Sequence, residues 1–292
     1  MQISDNTRGA IYMVISMAAF TLNDTAMKAV AQTLPLFQSI ALRGLVSVVA
    51  LVILGLAMRS LHFTLPRVDR GPVLVRSLAE VGGTVLFLGA LVHMPIANLS
   101  AIMQFLPLAV ALAAAVVFRE RIGWRRLSAI LIGFIGVLII IRPGPEGFSV
   151  WSVMGLGSVL CVVVRDLATR QLSRETSSVT VAVWAAAVVA ATGAAVAAWE
   201  GWQTVSAHQG LLIAASSSML IVGYMFSIMV MRVGEIGFIA PFRYTALICA
   251  IALGWAVFGD FPDGWTLFGS LIVVGTGVFT ILREARLKSA KA

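Results

Sequence analysis

The sequence predicts an all-α integral membrane protein: ten transmembrane helices arranged as two inverted five-helix repeats. Three observations carry that expectation. Ten apolar runs have membrane-crossing length, basic residues fall on alternate connections, and landmarks recur at offsets of 140 to 142 residues.

The apolar excess sets the solvent. Of 292 residues, 60% are hydrophobic and 12% charged, with a mean hydropathy of +0.98. Soluble domains carry about 45–50% apolar and about 25% charged residues, so lipid must solvate much of this chain. A helix crosses hydrocarbon in about 17–25 residues. Runs of that kind occupy 9–31, 35–58, 71–92, 95–118, 124–142, 149–171, 177–199, 209–231, 236–258 and 264–283. They leave no room for a soluble catalytic domain. The first run holds Asn23, Asp24 and Lys28 and no small-residue cleavage site, so it reads as a retained helix.

The net charge of +8 is a topology signal. With a cytoplasmic N-terminus, the inner connections and termini carry Arg8, Arg59, Arg67, Arg70, Arg119, Arg121, Arg125, Arg126, Arg170, Arg174, Arg232, Arg283, Arg286, Lys288 and Lys291. The outer loops hold Arg142 alone among bases, with Glu146, Glu200, Asp260 and Asp263. Short loops obey the positive-inside rule, so both termini are expected to be cytoplasmic, in a plasma (inner) membrane. Nucleic acid is excluded as a partner, because the basic residues are distributed by membrane side.

Three landmarks repeat. Asn23-Asp24 with Lys28 recurs as Arg165-Asp166 with Arg170; Phe118-Arg119-Glu120 recurs as Phe258-Gly259-Asp260; Trp124 recurs as Trp265. The units are residues 1–145 and 146–292. Five helices per unit is an odd number, so the second enters from the opposite side. Inverted repeats of this kind build secondary transporters, with the substrate near the midplane between halves. Gly82, Gly83, Gly133, Gly136, Gly155, Gly157, Gly275 and Gly277 are expected mainly to let helices approach. Pro107 and Pro241 are expected to kink or bend the fourth and ninth helices.

Other classes lack their motifs. The chain has no G-x-x-x-x-G-K-[ST] phosphate loop, no H-E-x-x-H and no G-x-S-x-G elbow. His62, His93 and His208 have no partners at metal spacing, so no metal or other cofactor is expected. Cys161 and Cys249, within apolar runs, read as packing residues.

Ionisable residues inside the membrane are costly and point to function. Here they are Asp24, Lys28, Arg43, Arg76, Glu80, Arg165, Asp166 and Arg243. Asp24–Lys28, Arg76–Glu80 and Asp166–Arg170 are spaced to pair on one helix face. Two readings stay open: structural self-neutralisation, or gates in which Asp24, Lys28 and Arg43 close the outside while Asp166, Arg170 and Arg243 close the inside. Arginine keeps its charge and requires an anion, a carbonyl or water. A substrate carboxylate fits Arg43 and Arg243 as well as an interhelical salt bridge does. Gln104 and Tyr244, 140 residues apart, are expected near mid-membrane as polar ligand contacts. Asn23, Phe20, Phe37, Phe105, Trp184 and Tyr224 could wall such a site. Asp24, Glu80 or Asp166 could take a coupling proton.

The run from Met94 to Gly144, with Phe105-Leu106-Pro107, Phe118-Arg119-Glu120, Gly123-Trp124 and Arg142-Pro143-Gly144, resembles the EamA-type members of the drug/metabolite transporter superfamily. A degenerate copy from Gly234 to Arg283 lacks the Arg-Glu pair and leaves Asp260 as the rough partner of Glu120. The resemblance implies a ten-helix transporter of small organic metabolites, by alternating access and in the direction of export. Combined with the intramembrane arginines, it gives amino acids or related zwitterionic or anionic compounds as the expected substrates. Organic cations or drugs are the alternative. One chain suffices to enclose a site, as a monomer or weak dimer.

Overall fold

Ten stretches of the chain are helical, long and apolar enough to cross a membrane. The structure, a computed structural model, describes residues 5–61, 64–119, 123–142, 149–173, 175–230, 233 and 236–289. Its helices are α1 (Asp5–Ala31), α2 (Leu36–Ala57), α3 (Arg70–His93), α4 (Ile96–Met103), α5 (Leu106–Val117), α6 (Trp124–Ile141), α7 (Val150–Arg170), α8 (Ser178–Glu200), α9 (Ala207–Val230), α10 (Ile236–Ile239), α11 (Thr245–Leu253) and α12 (Gly264–Ser289). Among the described residues there is no strand. Glu120, Arg121, Glu146, Arg174, Arg232, Lys291 and His62 lie outside the described residues.

The fourth and ninth spans are broken, and proline explains both. Pro107 stands in the first turn of α5. It has no N–H, and its ring excludes the carbonyl four residues back. The chain tightens just before it, with Phe105 N–H donating to Ile102 O at 3.1 Å. Pro241 likewise stands in a 3₁₀ turn, Ala240–Tyr244, between α10 and α11. At its far end α11 widens into one π-helical turn, Gly254–Phe258, closed by Gly259 at φ +73°. The Asp260 N–H returns to Gly254 O at 3.1 Å.

Helices pair across the two sequence halves. Ser16 meets Ser227 while Asn23 meets Ser216, which makes α1 and α9 antiparallel. Arg76 meets Thr169 and Gly89 abuts Met154, so α3 and α7 are antiparallel too. Further pairs include α2 with α8, α6 with α12, α3 with α8, α2 with α9 and α4 with α11. In a helix-for-helix exchange of halves, α1–α9 becomes α7–α3, α3–α8 becomes α9–α2, and α2–α8, α6–α12 and α4–α11 become themselves. That pattern is compatible with inverted repeats.

Close approach depends on glycine where backbones touch. A Cβ at Gly193 would lie 2.8 Å from Ala41 N, and one at Gly269 would lie 2.6 Å from Gly136 O. Lipid gives helices little apolar reason to associate, so such contacts hold the pairs. Gly275 differs: a Cβ there meets open space, so its expected packing role has no counterpart. The largest core packs Leu99, Ile102, Leu108 and Ile130 around the broken fourth span, which fixes the segment bearing Gln104.

Candidate functional site

The residues Met13, Met17, Phe20 and Asp24 recur every three to four positions, so they share one face of α1. That face lines a cavity of about 430 Å³. Ile96, Ser100, Met103 and Gln104 bring the broken fourth span to it, and Arg243 and Ala246 bring the broken ninth. Phe87 and Ser227 also line it. The two proline breaks thus expose polar positions of otherwise apolar spans to one space.

Asp24 is positioned from behind. Asn23, 3% exposed, donates Nδ2 to Asp24 Oδ1 at 2.8 Å, and its Oδ1 accepts from the Ser216 hydroxyl at 2.7 Å. Asn23 therefore orients the carboxylate and does not itself line the cavity. Arg43 acts on Asp24 electrostatically but is not a lining residue. Arg243, by contrast, is exposed within the cavity, and among the described residues no carboxylate lies within 4.0 Å of it. Sharing a cavity with Asp24, it does not stand with Asp166 and Arg170 at an opposite gate, which corrects that expected grouping.

The three expected same-helix pairs are also replaced. Lys28 bridges to Asp260 at 3.6 Å, not to Asp24. Glu80 takes Arg165 at 3.6 Å, while Arg76 donates to the Thr169 hydroxyl at 3.1 Å and to Val181 O at 3.4 Å. Asp166 holds its neighbour Arg165 at 2.9 Å, and Arg170 stands 5.5 Å over the Phe118 ring.

Glu80, Arg165 and Asp166 form a polar cluster joining α3 to α7. Tyr224 packs edge-on to Phe20, with ring centres 5.5 Å apart. Its hydroxyl feels Glu80, Arg165, Arg76 and Arg43. Tyr224 is 41% exposed and does not itself line the cavity.

Two expected contacts are elsewhere. Trp184 on α8 is 41% exposed and does not line the cavity. Tyr244 is buried, and its hydroxyl lies against Gly277 of α12. It borders a second, apolar hollow of about 420 Å³ with Phe242, Leu267 and Leu271. Gln104 and Tyr244 thus do not face a common ligand. Phe37 and Phe105 pack in the core. Sequence reasoning missed Ser100, Ser227 and the cavity methionines; the three-to-four spacing on α1 was the available signal.

Residues 7–142 match the EamA-like transporter family. The S-adenosylmethionine uptake transporter of Rickettsia conorii is 25% identical over 217 residues, 72% of this chain and 73% of that protein. The pseudopaline exporter CntI of Pseudomonas aeruginosa is 25% identical over 269 residues, covering 91% and 93%. The riboflavin transporter of Vibrio cholerae is 26% identical over 282 residues, covering 96% and 94%. A solved crystal structure with 20% identity superposes with a TM-score of 0.63 over 95% of this chain and 99% of that one. Ten crossing helices, a cavity between them and this set of relatives agree: the chain is a membrane transporter, not an enzyme, and its residues 7–142 are an EamA-like unit of the drug/metabolite transporter kind.

Proposed function

We propose that this transporter carries small zwitterionic metabolites, amino acids and related compounds, by alternating access between two inverted repeats, 1–145 and 146–292. The observation that carries the reading is the placement of Asp24 and Arg243 on the walls of one cavity, with Gln104 and Ser100 also on its lining. A carboxylate on Arg243 and an ammonium on Asp24 neutralise both walls at once. Each contact is a charge-assisted hydrogen bond of the stronger kind. Phe20, Phe87 and the methionines accommodate an apolar side group, thioethers being adaptable packing partners. The relative that takes up S-adenosylmethionine handles a compound with an amino-acid end, which suits this arrangement.

The relatives include both an uptake transporter and an exporter; export is the reading drawn from the resemblance. The basic residues on alternate connections support a plasma-membrane topology with both termini cytoplasmic, and we take a single chain to enclose the site. Asp24 is the carboxylate best placed to exchange a proton for the substrate ammonium.

Flux into proteoliposomes tests this, screened over amino acids, organic anions and organic cations with and without a proton gradient. Saturable flux of zwitterions is the expected result. Flux of organic cations alone would overturn the reading and make Arg243 a structural charge.

A further inference from the structure

We infer that Met94 O, the Asp260 carboxylate and the Phe258 ring form a binding station for a primary ammonium group, occupied in this conformation by the protein's own Lys28. The Lys28 side chain is almost fully buried, its residue only 4% exposed. Its Nζ donates to Met94 O at 2.8 Å, pairs with Asp260 at 3.6 Å and sits 4.9 Å from the centre of the Phe258 ring. A carbonyl, a carboxylate and an aromatic face are the three groups that recognise an ammonium when water is excluded. They come from three places: the end of α3 gives Met94, the π-helical turn gives Phe258 and the loop before α12 gives Asp260. The ammonium therefore ties α1 to both broken spans.

The station lies against the cavity. Ile96, which lines the cavity, is two residues beyond Met94. A Cβ on Gly254 would stand 3.0 Å from Ile96 Cγ2 and 3.3 Å from Asp260 O. The segment carrying the station thus rests on the cavity wall. Asp24, the proposed seat of the substrate ammonium, is one helical turn from Lys28 on α1. A substrate ammonium leaving Asp24 toward this end meets a site of its own chemistry, filled by a tethered competitor. Displacement of Lys28 by the substrate frees the Gly254–Asp260 segment from α1 and unlocks that end. Substrate passage and opening are then one event. The ligand in this step rests on the zwitterion reading; the lock does not.

The test needs no transport substrate. In protein carrying Cys161→Ser and Cys249→Ser, a single cysteine is placed by Ile96→Cys. A charged, membrane-impermeant thiol reagent is applied from the Asp260 side of sealed vesicles. With Lys28 present, labelling is expected to be slow. Lys28→Ala should accelerate it about tenfold or more, the scale of a lost hydrogen-bonded charge contact, and ethylammonium should slow it again by refilling the station. Asp260→Asn should also accelerate labelling, but ethylammonium should not slow the Lys28→Ala, Asp260→Asn double variant. Unchanged labelling in both single variants would overturn the lock. Acceleration that ethylammonium leaves unaffected would overturn the ammonium station. Failure of zwitterion flux alone would leave both readouts standing and would instead remove the substrate assignment.

Discussion

The two ends of the bundle carry the same kind of contact at different depths of burial. At one end Lys28 of α1 lies 4.9 Å over Phe258, with Asp260 and Met94 O to hold it. At the other end Arg170 of α7 lies 5.5 Å over Phe118. Lys28 and Arg170 are sequence counterparts, as are Phe258 and Phe118. Each cation reaches the aromatic residue of the opposite half. The Lys28 contact is buried, whereas Arg170 is exposed. The comparison teaches that the repeated motif builds a cation–aromatic contact at both ends, and that burial, not residue identity, distinguishes them.

The largest expected effect comes from reversing charge at the buried end. Lys28→Glu sets a buried acid beside Asp260 and Met94 O, and should lower unfolding free energy by about 3–5 kcal/mol, as leaving a buried charge uncompensated does. Adding Asp260→Lys should recover part of the loss, seen in the melting temperature of purified protein. Failure of the swap to recover anything would mean that the pair is incidental. At the other end the comparison is sharpened: Phe118→Leu, which removes only the ring beneath the exposed Arg170, should cost less than Phe258→Leu beneath the buried Lys28, on the scale of an exposed cation–π contact, about 0.5–1 kcal/mol. Equal or reversed costs would remove the asymmetry between the ends.

Much of the bundle was legible because lipid imposes simple rules. Ten runs were long enough to cross, and helices form over them. Pro107 and Pro241 mark where the fourth and ninth spans break, since proline lacks the required N–H. Charge partners were less legible. Helical spacing says that Asp24 and Lys28 share a face, but not that Asp260 approaches from another helix end. Likewise the offset between Gln104 and Tyr244 sets their counterpart positions, while side-chain direction is fixed by local turns. The 3₁₀ turn sends Arg243 to the cavity and Tyr244 toward Gly277. Packing chose among partners that the sequence left equal.

The smallest effect belongs to a contact outside the membrane-spanning helices. Arg142, closing α6, hydrogen-bonds Asp263 before α12. That bond holds the Asp263 carboxyl down at about 2. A depressed carboxylate contributes stability above its ordinary value, about 3.9, and loses it as pH falls toward 2. Both groups are about half exposed, with side-chain exposures of 43% and 50%, so the pair is worth under about 1 kcal/mol. Asp263→Asn should therefore lower the melting temperature slightly and evenly from pH 8 to 5, with the difference disappearing between about pH 4 and 2. A difference that grows on acidification would contradict the assignment.

The zwitterion site is tested most directly by matched analogues of whichever zwitterion the protein carries: the parent compound, its carboxyl methyl ester and its deaminated form. Their uptake into proteoliposomes is compared for the native protein, Asp24→Asn and Arg243→Gln. The native protein should prefer the parent by about tenfold or more, the weight of one charge-assisted contact. Arg243→Gln should lose its preference over the ester but not over the deaminated form, and Asp24→Asn should do the reverse. If both variants lose the same preference, or neither loses any, Asp24 and Arg243 do not hold opposite ends of the substrate.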